Sequence, residues 1–464
     1  MLLKKFVNRT EELHFLEEKY SSRNSEFIII YGRRRIGKTE LVKQFIQEKK
    51  AFYFIAKKQK LDLELKRFIE AFSRKFDTWI PPTTNWEIVF EHIIKSVETR
   101  FGKNKFIIVI DEFPYWIAED ETILYTFQVV WDEILSKHNI MLILLGSTIS
   151  TMTSFVLDYK SPLYGRRTGQ WMLEPLKFYH LKEFYPNYTI EDIIKVYGCT
   201  NGIPYYLLHF DSNRSFIDNL KTLFFSKGGI LFEEGEILLR EELREVYVYL
   251  DILRAISEGR TKRTEIANYA GVAVTNISKY LATLEKLGII SKVYPIVGVP
   301  RKSRYAQIKI GDFFFNFWLR FVYPYREDIA LDMYDLKAFE NSFSKYMGYV
   351  FEEVAKQALI KMDKSQMLPF DFTKIGRWWY RDTEIDLIAL NESTKTVGFV
   401  EVKWKDDVDV LRLLNSLKEK AESVRIPWQP KQEFYIFFAK SFRKDINDEK
   451  NVILFSIDSL GRLL

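Results

Sequence analysis

Residues 32–39 read GRRRIGKT and fit the pattern G-x-x-x-x-G-K-[ST]. Gly32 and Gly37 let the backbone curl so that the N–H groups across Arg33, Arg34, Arg35 and Ile36 face phosphate oxygens. The helix expected from Lys38 adds the positive end of its dipole. In that setting Lys38 reaches the β and γ phosphates of ATP, and the Thr39 hydroxyl holds Mg²⁺. A second stretch answers the first: residues 106–113 read FIIVIDEF, an apolar run ending in Asp111 and Glu112. Asp111 stands on the metal side, and Glu112 orients or deprotonates the attacking water. Ser147, within Gly146-Ser147-Thr148 at the end of the next apolar run, is placed to sense the γ phosphate. Arg166 follows in the loop Tyr164-Gly165-Arg166-Arg167. A loop arginine can stabilise charge on the transferring phosphate, often from a neighbouring subunit. Such a role leaves room for a homo-oligomer.

A second constellation lies near the C-terminus. In Glu384-Ile385-Asp386-Leu387, the two acids are two residues apart on an expected strand, so they share a face while Ile385 and Leu387 point to the core. In Val400-Glu401-Val402-Lys403, Glu401 and Lys403 share a face in the same way. If the two strands pair, Asp386, Glu401 and Lys403 converge. Two acids with a lysine suit metal-dependent phosphodiester cleavage: Asp386 and Glu401 hold Mg²⁺ or Mn²⁺, whose bound water ionises more readily. Lys403 steadies the nucleophile or the charged phosphate. The plain alternative is a solvated strand face with a surface ion pair.

These groups need elements to position them. Short apolar runs at 27–31, 52–55, 106–110 and 140–145 alternate with a helix from Thr39 and an amphipathic helix over 61–76. That alternation predicts a parallel, doubly wound α/β sheet across residues 1–170. Strand signals fade over 171–245, which reads as a helical lid. Residues 246–325 read as helices over 246–257, 264–270 and 275–287, then a hairpin from 289–294 to 305–310, the order of a winged helix. Thr275, Asn276, Ser278 and Lys279 lie on the early turns of the third helix, where side chains meet DNA bases or phosphates. Arg301, Lys302 and Arg304 in the wing suit backbone phosphates. A winged helix can equally serve as a rigid spacer. Residues 326–340 read as a polar connection, and a last α/β domain spans 341–464, opening with a helix over 346–360.

Bulk properties fit this picture. In 464 residues, 47% are hydrophobic and 28% charged, enough to bury several cores and remain soluble. The single cysteine, Cys199, excludes an intrachain disulfide and a cysteine-based zinc cluster. The N-terminal stretch has no apolar core of a signal peptide. The aromatic run at 313–321 is broken by Asn316 and Arg320 and is too short to span a bilayer. A cytoplasmic protein without a membrane partner is expected. The net charge of +6 points weakly to nucleic acid.

The series Phe6-Val7-Asn8-Arg9 with Glu12 and Leu13, then GRRRIGKT, IDEF, GST, YGRRT and NGIPYYL, resembles the archaeal ATPase family of the AAA+/STAND group over residues 1–210. The resemblance implies that Val7, Arg9 and Pro204 lie near the adenine. Asn201 stands where that family usually has glycine. The C-terminal part resembles the PD-(D/E)xK nuclease superfamily and the domain that often follows such ATPases. That likeness implies a further acid on the domain's first helix, Glu352, directly after Phe351 and preferred to Glu353. Ile385 stands in place of the usual leading proline. Together these imply an ATPase core with a helical lid, a winged helix and a restriction-endonuclease-like domain, in a protein that hydrolyses ATP, binds DNA and cleaves it. The alternative is an ATP-dependent switch or scaffold whose last domain binds without cutting.

Overall fold

A computed structural model describes residues 6–298, 306–443 and 451–463. The chain forms two compact units that meet in sequence at Pro175 and Leu176.

The first unit is built on five strands: β1 (Glu26–Tyr31), β2 (Ala51–Ile55), β3 (Phe106–Asp111), β4 (Ile140–Gly146) and β5 (Gly169–Met172). They pair in the order β2-β3-β4-β1-β5, all parallel. The apolar runs read continuously because both faces are covered. Phe27 and Ile29 enter one core cluster, while Ile28 and Ile30 enter the other. Phe106, Ile108 and Ile110 divide from Ile107 and Val109 in the same way. A parallel sheet gathers all strand C-termini at one edge, where ligands of such folds bind. The loop after β1, the acids ending β3 and Ser147 after β4 therefore share that edge. Helices Leu61–Phe76 and Trp86–Phe101 pack on the first cluster. The second of these starts at Asn85, whose side chain caps the N–H groups of Glu87 and Ile88.

The second unit contains helices Val246–Ser257, Arg263–Tyr269 and Ile277–Lys286, followed by the antiparallel pair β6 (Ile290–Val293) and β7 (Gln307–Ile310). Its larger sheet contains β8 (Lys374–Tyr380), β9 (Thr383–Asn391), β10 (Thr396–Lys403), β11 (Gln432–Ala439) and β12 (Val452–Ser456), in the order β12-β11-β10-β9-β8. The β8–β9 and β9–β10 pairs are antiparallel, and β10, β11 and β12 run parallel. Helix Val410–Glu422 covers one face, with Leu414 and Leu417 among Ile388, Leu390 and Phe399. Leu387, Ala389, Val400 and Val402 join the cluster of Val350, Phe351 and Val354 from the long helix Leu336–Lys364.

That helix corrects two expectations. It begins inside the expected connection, because Asp335 caps it by accepting from the N–H groups of Lys337 and Ala338. It then runs 29 residues, well beyond the 346–360 span. The third helix of the winged-helix segment starts at Ile277 rather than Thr275. Among the described residues, no helix is long and apolar enough to cross a membrane.

Candidate nucleotide and acid sites

The loop between β1 and helix Lys38–Ile46 is tight by necessity. Gly32 has φ +153°, and a Cβ there would meet the Leu173 carbonyl oxygen at 2.6 Å. Gly37, at φ +93°, precedes the helix, so both positions demand glycine. Lys38 is buried, and its Nζ donates to the carbonyls of Gly32 (2.8 Å) and Arg33 (2.9 Å). The Thr39 hydroxyl donates to Asp111 Oδ2 at 2.7 Å. Asp111 is almost fully buried and also receives the Tyr53 hydroxyl at 2.5 Å and the Glu112 N–H at 2.9 Å. Burial first, and then the neighbouring Asp111 charge, push the Tyr53 phenol far up, so it stays a donor. Glu112 adopts φ +58°, and its carboxylate accepts from Ser147 Oγ at 2.5 Å. The structure thus brings Lys38, Thr39, Asp111, Glu112 and Ser147 together at the C-terminal edge of the sheet. Backbone donors, a lysine, and a hydroxyl bonded to a carboxylate form the donor set that a nucleotide with Mg²⁺ requires.

Three other expected residues lie outside this hydrogen-bonded group. Arg9 grips the loop from below: its guanidinium donates to the carbonyls of Ile36 (3.1 Å) and Glu174 (2.8 Å) and pairs with Glu12 (2.9 Å). Arg166 forms a two-pronged pair with Asp132, through Nε at 2.9 Å and Nη2 at 2.7 Å. Pro204 belongs to the second unit and opens helix Pro204–Leu207, after Asn201 and Gly202 have turned the chain at positive φ. Val7 is buried. Tyr53 was not expected: a tyrosine within an apolar strand reads as core, and only the pairing of β2 with β3 sets it beside Asp111.

The second site is assembled from scattered pieces. The β8–β9 register shifts between Gly376↔Ile388 and Trp378↔Ile385, so Arg377 alone faces both Asp386 and Leu387. Such a bulge re-aims side chains. It breaks the strict alternation expected here: Ile385 and Leu387, two apart, lie in different clusters. Asp386 is 8% exposed and Glu401 5%. Asp386 Oδ2 accepts the Val402 N–H at 2.8 Å and lies 3.9 Å from Lys403 Nζ. Lys403 Nζ donates to Glu401 Oε1 at 2.6 Å. Lys420, from helix Val410–Glu422, reaches the same carboxylate at 3.1 Å. Glu352, on the long helix, pairs with Arg377, which also stands 3.8 Å from Glu384.

Electrostatics tie these groups together. Burial, and then the like charge of Glu401, raise the Asp386 carboxyl, against Lys403 and the Val402 N–H. Burial pushes Glu352 up to about 7 despite Arg377, with Asp386 adding to the rise. Burial would lower Lys403, but Asp386 and Glu401 outweigh it and hold the ammonium above its ordinary value. The structure therefore brings Glu352, Asp386, Glu401 and Lys403 into one cluster, while Glu353 faces Gln357 instead. Two close, buried acids that repel one another favour a divalent cation. Among the described residues, no group of three or more His, Cys, Asp and Glu is gathered for a metal. A site of one or two carboxylates completed by water and phosphate is ordinary for Mg²⁺. Arg377 and Lys420 were missed because their partners are distant in sequence.

In the winged-helix segment, Thr275, Asn276, Ser278 and Lys279 are all exposed around the start of helix Ile277–Lys286. Arg301, Lys302 and Arg304 lie outside the described residues.

Comparison with known proteins matches three segments of the chain. Residues 6–210 match the family described as an ATPase domain predominantly from Archaea. Residues 250–292 match the bacterial regulatory protein arsR family, and residues 318–422 a family of archaeal and bacterial proteins of unknown function. An uncharacterised protein of Methanocaldococcus jannaschii is 39% identical over 458 residues, covering 98% of this chain and 100% of that relative. An uncharacterised ATP-binding protein of the same organism is 58% identical over 45 residues, 10% of this chain and 76% of the relative. A solved Walker-type ATPase of Pyrococcus abyssi superposes with a TM-score of 0.52 at 23% identity, covering 68% of this chain and 97% of that one. That likeness shows the fold of the ATPase part.

Proposed function

We propose a two-part function for this chain, which belongs to the archaeal ATPase family with its ATPase domain at residues 6–210. The first unit hydrolyses ATP. Lys38 and the N–H groups of the 32–39 loop hold the phosphates, Thr39 and Asp111 hold Mg²⁺, and Glu112 orients and deprotonates water. Bound Mg²⁺ would neutralise charge developing on the transferring phosphate. The observation that carries this reading is the Thr39–Asp111 hydrogen bond at the strand edge, with Glu112 the next residue after Asp111. Arg166 acts on a neighbouring subunit only by giving up Asp132.

The second unit binds DNA and cuts it. Thr275, Asn276 and Lys279 meet the double helix, and Arg301, Lys302 and Arg304 reach its phosphates. Asp386 and Glu401 hold Mg²⁺ or Mn²⁺, Lys403 positions the nucleophile or phosphate, and Glu352 completes the acidic wall. The support is the convergence of these four side chains from a helix and two strands, around a bulge that turns Asp386. The competing reading is a slow ATP-dependent switch. The Ser147–Glu112 hydrogen bond favours it, because it engages the carboxylate needed as base.

The test of the second part is direct. Plasmid and branched DNA are incubated with wild type and Lys403→Ala, in Mg²⁺ and in Mn²⁺. Metal-dependent cleavage that falls by about 10²-fold or more in the variant supports the site. Intact DNA with wild type in both metals, while DNA binding persists, removes the nuclease and leaves the binding module.

A further inference from the structure

The β6–β7 hairpin of the winged-helix segment is docked against the acidic site. On its β7 side, Ile308 and Ile310 turn into the core, and Lys309 between them faces the other way. The Ile310 carbonyl accepts from Tyr349 Oη at 2.7 Å. Tyr349 and Glu352 are three apart on one helix, hence on one face. On the β6 side, the Ile296 N–H donates to the Arg377 carbonyl at 2.9 Å, and Ile296 and Val297 pack on the cluster of Trp378 and Ile385. The hairpin is thus clasped at both edges by the elements that carry Glu352 and Arg377.

Lys309 is thereby set beside the acids. Burial first, and then Arg377, lower its ammonium to about 8, while Glu352, Glu384 and Asp386 draw it back up. Among the described residues, Lys309 makes no ion pair of its own. Arg377 is occupied by Glu352 and Glu384, and Lys403 by Glu401. Lys309 is therefore the cation of this cluster whose charge is uncommitted. A half-buried ammonium without a carboxylate of its own is suited to an anion that arrives with the substrate.

We propose that Lys309 is a phosphate-binding residue of the C-terminal site, holding a backbone phosphate of the nucleic acid beside Asp386 and Glu401. The hairpin is then a wall of that site. The inference rests on reading this site as one for phosphodiesters.

The experiment compares full-length wild type, Lys309→Met and Lys309→Arg binding a fluorescein-labelled DNA duplex across a range of KCl, in EDTA. Losing one phosphate contact should weaken binding about tenfold and reduce the slope of log K against log [salt] by about 0.9, with arginine restoring both. If Lys309→Met loses cooperative unfolding, Lys309→Gln repeats the measurement. An unchanged affinity and slope in a folded, uncharged variant overturns the proposal, whatever the wild type cleaves. Cleavage in Mg²⁺ or Mn²⁺ reports separately on the parent reading. A reduced slope with no cleavage by wild type retires the nuclease but keeps Lys309 as a phosphate contact. A reduced slope together with a KM raised more than kcat falls supports both.

Discussion

The two acid-bearing sites supply partners to their carboxylates by opposite means. At the end of β3, Asp111 and Glu112 are held by neutral donors: Thr39, Tyr53, Ser147 and a backbone N–H. In the C-terminal cluster, the acids are held by cations: Glu352 by Arg377, and Glu401 by Lys403 and Lys420. Neutral donors leave the negative charge of the first site available to an incoming cation. In the second site, cations already oppose the acids. The first arrangement suits a resident Mg²⁺–nucleotide. On the proposed reading, the second would take a metal together with the phosphate it acts on.

Two substitutions sharpen this contrast. Tyr53→Phe removes a donor from the nearly buried Asp111, and hydrogen bonds to charged groups are worth about 1.5–3 kcal/mol. The free energy of unfolding should fall by an amount in that range, and the loss should shrink when ATP and Mg²⁺ are added, because the cation replaces the lost donor. An equal loss with and without nucleotide would show that Tyr53 merely packs. Arg166→Ala should cost less than about 1 kcal/mol, because its pair with Asp132 is partly exposed to solvent. If Arg166 serves a neighbouring subunit, ATP turnover in this variant should fall while stability hardly moves, and the fall should grow with protein concentration. Unchanged turnover at every concentration would leave Arg166 as a surface brace.

The contrast also explains what could be read in advance. The nucleotide site was legible because its residues are contiguous: GRRRIGKT and IDEF each sit at a strand end, and a parallel sheet necessarily brings those ends together. Tyr53 escaped because a tyrosine in an apolar strand carries no mark of the neighbour it will meet. In the C-terminal site, Asp386, Glu401 and Lys403 were visible through strand alternation, although the bulge opposite Arg377 breaks the alternation at Asp386 itself. The cations opposing these acids were not visible. Arg377 answers Glu352 across 25 residues, Lys420 answers Glu401 across 19, and Lys309 arrives from another segment altogether. Only Lys309 left a trace, as a lysine between two buried isoleucines. The long helix was underestimated because residues 326–340 look polar, although Asp335 before Leu336 is a capping signal.

The central claim is that ATP is hydrolysed by water directed from Glu112. The most direct measurement is phosphate release from ATP in Mg²⁺ by wild type and Glu112→Gln, with nucleotide binding measured in parallel. Wild type should turn over, and the glutamine variant should bind ATP comparably but release phosphate about 10²–10⁴-fold more slowly, as expected when a general base is lost. Equal turnover by the two proteins would contradict the account.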